Sequence, residues 1–91
     1  MKYNVKFTSQ FKKDIKRVRK QGKNLDELFS VIETLSNNIP LEEQYRDHAL
    51  KGEYSSYREC HIEPDWLLIY QKVDDCLILI LYRVGSHSEL F

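Results

Sequence analysis

Three histidines, His48, His61 and His87, are the side chains in this sequence best suited to move protons near neutral pH, and all three lie in its second half. Imidazole titrates close to physiological pH, so one ring can accept a proton while another donates one. Asp65 and Arg83 fall between the second and third histidines. A positioned proton transfer is worth roughly 100- to 10,000-fold in rate, and a guanidinium or ammonium steadies negative charge as it develops. Together these groups suit cleavage of RNA. In that reaction the ribose 2′-hydroxyl attacks its own phosphate, one group removes the hydroxyl proton, a cation holds the phosphate, and another group protonates the leaving 5′-oxygen. That chemistry needs no metal or other cofactor. A metal site built from the three histidines lacks any local ligand spacing of the HExxH kind. The sequence also has no glycine-rich phosphate loop and no GxSxG nucleophile motif.

Groups so far apart in sequence can act together only if the fold gathers them. Tyr3, Val5 and Phe7 alternate with Lys2, Asn4 and Lys6, the period of a half-buried strand. Ser9 then offers an N-cap oxygen, and Phe11, Ile15 and Val18 form one helical stripe that Gly22 closes. Asn24 is placed to cap a second helix, with Glu27 three residues on. Its stripe is Leu25, Leu28, Phe29, Ile32 and Leu35, and Asn37, Asn38 and Pro40 end it. The tight connection makes the helices an antiparallel pair. Residues 41–53 show no period and read as a loop with at most one helical turn. Three strands follow, over about 55–62, 66–72 and 76–83, with turns at Glu63-Pro64-Asp65 and Asp74-Asp75. The expected fold is α+β: a small antiparallel sheet, made of the N-terminal strand and a three-strand C-terminal meander, with two helices packed on one face, all in a single domain over residues 1–91.

The meander makes a geometric prediction. His61 ends its strand, Asp65 starts the next, and a turn centred near Asp74 sets Asp65 opposite about Arg83. His87 lies four residues further on. His61, Asp65, Arg83 and His87 should therefore gather at one end of the sheet. Strand parity puts Tyr57, Glu59 and His61 on one face and Arg58, Cys60 and Ile62 on the other, which makes Glu59 a neighbour of His61. His48 sits in the unpatterned stretch and cannot be placed in this way.

Composition narrows the class further. The 91 residues are 42% apolar and 31% charged, as in a globular domain rather than a disordered chain. The longest apolar run, Cys76–Tyr82, is seven residues, too short to span a bilayer. Met1 and Lys2 lead into polar residues with no apolar stretch of signal-peptide length, so a cytoplasmic protein without membrane partners is expected. Cys60 and Cys76 form no CxxC pattern and read as packed, reduced thiols in strands. Net charge is zero but unevenly spread. Residues 1–23 carry nine Lys/Arg against the single Asp14, and residues 24–45 carry five acids and no base. The first helix thus has a basic outer face.

Three strings carry a resemblance: Asp47-His48-Ala49-Leu50-Lys51-Gly52, then Tyr57-Arg58-Glu59-Cys60-His61-Ile62-Glu63-Pro64-Asp65-Trp66, and the terminal Gly85-Ser86-His87-Ser88-Glu89-Leu90-Phe91. In this order they closely resemble YafQ-type toxins, a branch of the RelE/ParE superfamily of bacterial toxin–antitoxin systems, over essentially the whole chain. The resemblance implies a RelE-like fold and an mRNA interferase that acts typically within the translating ribosome and is held inactive by a cognate antitoxin. It implies catalytic positions at His48, His61, Asp65 and His87, an acidic position at Glu59, and supporting positions at Trp66 and Phe91. On that footing His48 or His61 is the general base and His87 the general acid. Asp65 orients a histidine or shares the acid–base role. Lys51 and Arg83 contact phosphate, Arg58 is a further candidate, and Phe91 packs or stacks on RNA. The basic first helix meets ribosomal RNA or an acidic antitoxin surface. Two other readings accompany this one: a ParE-like toxin that binds gyrase and cleaves no RNA, and an inactive partner-binding module.

Overall fold

Alternating apolar and polar residues form the first strand, β1 (Asn4–Phe7). In the computed structural model, which describes residues 2–91, it is followed by α1 (Ser9–Lys20), α2 (Leu25–Ser36), β2 (His48–Ala49), β3 (Arg58–Glu63), β4 (Trp66–Val73), β5 (Ile78–Gly85) and α3 (His87–Leu90). Single 3-10 turns occupy Glu43–Tyr45, Gly52–Tyr54 and Asp74–Cys76.

The strands form one five-stranded sheet in the order β1-β5-β4-β3-β2. The meander β3-β4-β5 is antiparallel, as its short turns require. The sheet as a whole is mixed, which corrects the all-antiparallel expectation: β1 runs parallel to β5, with Asn4 opposite Ile78 and Phe7 opposite Leu81. Side-chain alternation carries no information about strand direction. Here α1 accounts for it. β1 stops at Leu81, so β5 beyond that point has an open edge whose backbone groups need partners. Thr8 donates from its N–H to the Leu81 carbonyl (3.2 Å) and from Oγ1 to the Tyr82 carbonyl (2.8 Å). Further on, the Val84 N–H donates to Asp14 Oδ2 (3.2 Å), and the Val84 carbonyl accepts from Arg17 Nη2 (2.8 Å). Only a parallel β1 delivers α1 to that end of β5.

The patternless stretch holds the fifth strand. β2 pairs antiparallel with β3, His48 opposite Glu59 and Ala49 opposite Arg58. Two residues are too few to show a period.

Both helices cover one face of the sheet. Phe11 and Val18 from α1, and Leu28, Val31 and Leu35 from α2, pack with Cys60, Ile62, Trp66, Leu68, Tyr70, Leu79, Leu81 and Val84 into the core. Full burial of such a side chain stabilises the fold by about 1.5–3 kcal/mol. The α2 stripe is rotated from the expected one: Val31 is buried, while Phe29 stays 50% exposed. Within α1 the third buried position is Asp14. The N-cap is Thr8 rather than Ser9, its Oγ1 accepting from the Phe11 N–H (2.9 Å), an interaction worth about 1 kcal/mol. Gly22 (φ 75°) closes the helix and Asn24 caps α2 as expected. Cys60 is buried in β3, but Cys76 is exposed in the 3-10 turn before β5, contrary to its reading as a packed strand residue. The apolar run begins one turn before the strand does.

Candidate active site

Strand geometry assembles the first group. Cys60 and Ile62 enter the core, so Glu59 and His61 project from the opposite face of β3. The register of β2 sets His48 directly across from Glu59. His48 Nε2 lies 3.4 Å and His61 Nε2 3.5 Å from the same atom, Glu59 Oε1. The ring centroids are 6.2 Å apart. Each Nδ1 faces a backbone carbonyl: Arg46 for His48 (2.6 Å) and Pro64 for His61 (3.2 Å). A carbonyl only accepts, so each Nδ1 carries the proton and each Nε2 is turned to Glu59. A neutral ring therefore presents a proton acceptor at Nε2, and a protonated ring forms an ion pair there. The Glu59 side chain is only 6% exposed, and among the described residues the two histidines are the groups that pair with it when they are protonated. Burial without them would leave that carboxylate unsupported.

The second group is at the C-terminus. Ser86 caps the four-residue α3 in a reciprocal capping box with Glu89. The His87 N–H donates to Asp65 Oδ1 (3.2 Å), and the His87 and Phe91 ring centroids are 5.3 Å apart. Phe91 is 62% exposed. Polar contacts hold this piece to α1. Glu89 Oε1 accepts from the Ser86 N–H (2.8 Å), and Oε2 accepts from Gln21 Nε2 (2.9 Å) and pairs with Arg17 Nε (3.1 Å). The Ser86 N–H, then the Gln21 amide, draw the Glu89 carboxyl down to about 2. Gly85 leaves the space for this arrangement: a Cβ there would lie 2.5 Å from Arg17 Nη2.

One turn joins the two groups. Pro64 supplies the carbonyl that holds the His61 ring, and the next residue, Asp65, holds the His87 backbone. His61, Asp65 and His87 thus come to one end of the sheet, but not by the expected register. Arg83 stands opposite Ile69, and Gly85 opposite Leu67, because here the β5 partners lie four residues further along than a turn centred on Asp74 allows. Asp65 contacts neither Arg83 nor an imidazole. Arg83 is instead tied to Asp14 through Nε (3.0 Å) and Nη2 (3.0 Å), while it lines a small cavity with Tyr54, Ile69, Tyr82 and Phe91. Burial pushes the Asp14 carboxyl up, but hydrogen bonds from Arg83, the Val84 N–H and Gln10 outweigh it and hold the group below its ordinary value.

Two expected contributors stand apart. Trp66 is 1% exposed in the helix-side core, with Lys23 Nζ 5.9 Å from its ring centroid, so it has no open face for a base. Arg58 follows the parity of Cys60 to the helix side, where its Nε lies 3.2 Å from Asp47 Oδ1. Lys51 is exposed after β2. The supports that sequence reasoning missed are Asp14, Arg17 and Glu89. Asp14 did leave a signal, as the lone acid of a basic helix at a position between Phe11 and Val18 on the apolar stripe.

The architecture is that of a RelE-like α+β domain. Residues 3–91 match the family described as the bacterial toxin of a type II toxin–antitoxin system, YafQ, and the chain belongs to that family. It is 38% identical over 89 residues to the mRNA interferase toxin YafQ of Escherichia coli K12, covering 97% of this chain and 95% of that one. Among solved structures it superposes on the E. coli DinJ–YafQ toxin–antitoxin complex with a TM-score of 0.91 and 37% identity, covering 100% of this chain and 99% of that one. It superposes on a metal-bound toxin from Helicobacter pylori with a TM-score of 0.92 and 43% identity, covering 98% and 99%. Here the described residues contain no group of three or more His, Cys, Asp or Glu side chains arranged to hold a metal ion.

Proposed function

We propose that this protein is an mRNA endoribonuclease, the toxin of a type II toxin–antitoxin pair, which cleaves by general acid–base catalysis without a metal. The observation that carries this reading is the convergence of two imidazole Nε2 atoms on one buried carboxylate, with a third histidine held by the same turn. His48 or His61 takes the proton of the ribose 2′-hydroxyl as the oxygen attacks phosphorus. The bond from phosphorus to the 5′-oxygen breaks, and His87 gives that oxygen a proton. The products are a 2′,3′-cyclic phosphate and a free 5′-hydroxyl. Glu59 balances the imidazolium that forms, and Asp65 positions His87. Lys51 and Arg83 face the phosphate, the latter preorganised by Asp14, and Phe91 offers its exposed ring to a base.

Lys12, Lys13, Lys16, Arg19 and Lys20 form an exposed basic face on α1. The chain as a whole is neutral, and RNA affinity comes largely from counterion release. This favours delivery of the message by the ribosome, with α1 against ribosomal RNA, and a cytoplasmic site of action. Among the described residues no helix is long and apolar enough to cross a membrane. A cognate antitoxin restrains the activity. The test is primer extension on a reporter transcript, with translation on and off and with a chelator present. Cuts at in-frame positions, ending in cyclic phosphate and insensitive to the chelator, are expected. Growth arrest without any cut RNA would favour a gyrase-binding toxin instead.

A further inference from the structure

On the Nδ1 side of His61 a cavity of about 360 Å³ opens between the 3-10 turn Glu43–Tyr45 and the turn that joins β3 to β4. Gln44, Tyr45, Arg46, His61, Glu63 and Pro64 line it. Its two walls also hold the paired histidines: the Arg46 carbonyl accepts from His48 and the Pro64 carbonyl from His61. Whatever seats in the cavity is therefore registered against both rings.

The lining suits a nucleobase better than a phosphate. A phosphate would meet the Glu63 carboxylate, whose ion-pair partner, Lys23 Nζ, is 3.7 Å away on an exposed pair. A base brings N–H donors for that carboxylate and ring acceptors for the guanidinium. Guanine offers both, with N1–H and N2–H on one edge and O6 and N7 on another, the last two a bidentate match to arginine. The Gln44 amide can donate or accept, and the cavity has room for a purine ring. Arg46 adopts the left-handed conformation (φ 48°), which turns its carbonyl onto His48. Glycine takes that conformation readily, so the guanidinium can be removed without losing the backbone contact.

We propose that this cavity is the subsite for a base adjoining the scissile phosphate, and that Glu63 and Arg46 make it select guanine. The inference rests on the endoribonuclease reading above.

The test maps every cut by sequencing the 5′-hydroxyl ends of a transcript that carries all base contexts, translated in a cell-free system. The wild-type toxin is compared with Glu63→Gln, Arg46→Gly and, at an exposed position, Gln44→Ala. Retained antitoxin binding shows that each variant is folded. Wild-type cuts should be enriched at positions next to guanine. Glu63→Gln and Arg46→Gly should each lower that enrichment about tenfold while cutting continues elsewhere, since a good polar base contact discriminates by about that factor. A wild-type pattern indifferent to guanine, or folded variants that all share the wild-type pattern, overturns the subsite and leaves the endoribonuclease reading intact. Absence of any cut by the wild type overturns both.

Discussion

The two halves of the candidate site are held by different forces. His48, Glu59 and His61 stand on paired strands, set by backbone register and backed by the buried Leu67 and Ile69. His87 and Phe91 stand on a single turn of helix, fastened by Glu89, Gln21, Arg17 and Asp65. A sheet ladder is cooperative and indifferent to salt. Exposed ion pairs are individually weak and screened within about 10 Å at 0.1 M salt. The strand-borne half should therefore behave as a rigid platform and the C-terminal half as an adjustable arm, sensitive to charge.

The largest separation of the two should come from His87→Ala. It removes the proposed proton donor and, of packing, only an exposed ring contact with Phe91, so cleavage should fall by roughly 100- to 10,000-fold with little change in melting temperature. Full cleavage, or full growth arrest, by that variant would take His87 out of the mechanism. Asp14→Asn should cost about 3 kcal/mol in denaturant unfolding, because it strips charge from the carboxylate that Arg83, Arg17 and the Val84 N–H share. An effect below about 0.5 kcal/mol would mean that the edge of β5 is satisfied in another way. The smallest effect is expected from Glu89→Gln, which should lower cleavage by about tenfold. It should loosen the amide-exchange protection of α3 and leave that of β3 unchanged. Equal loosening of both would erase the distinction. The sign of the pH effect follows from the direction of the shift. The Glu89 carboxyl sits at about 2 when folded, below its ordinary value. Its contribution is therefore complete above the ordinary carboxylate range and is lost as pH falls toward about 2. Exchange protection of α3 measured from pH 6 down to pH 3 should weaken only at the acid end.

Much of this was legible locally. Strand parity put Glu59 and His61 on one face, and Pro64 and Asp65 marked the turn that serves both groups. Gly22 and Asn24 punctuate the helices where expected. The failures share a cause, since each depends on a partner remote in sequence. Thr8 displaces Ser9 as cap because its hydroxyl also reaches the Tyr82 carbonyl. Phe29 leaves the buried stripe because α2 presents Val31 to the sheet instead. Trp66, a supporting position by resemblance, has no exposed face because α1 and α2 cover that side of the sheet.

Periodicity, capping residues and turn chemistry are local properties, so the chain on its own determined two helices, a meander and the histidines' share of a strand end. Pairing direction, register and the fate of each charge depend on elements meeting in space. For that reason only the folded molecule decided that β1 runs parallel to β5, that His48 joins through a two-residue strand, and that the lone acid of the basic helix is buried against Arg83.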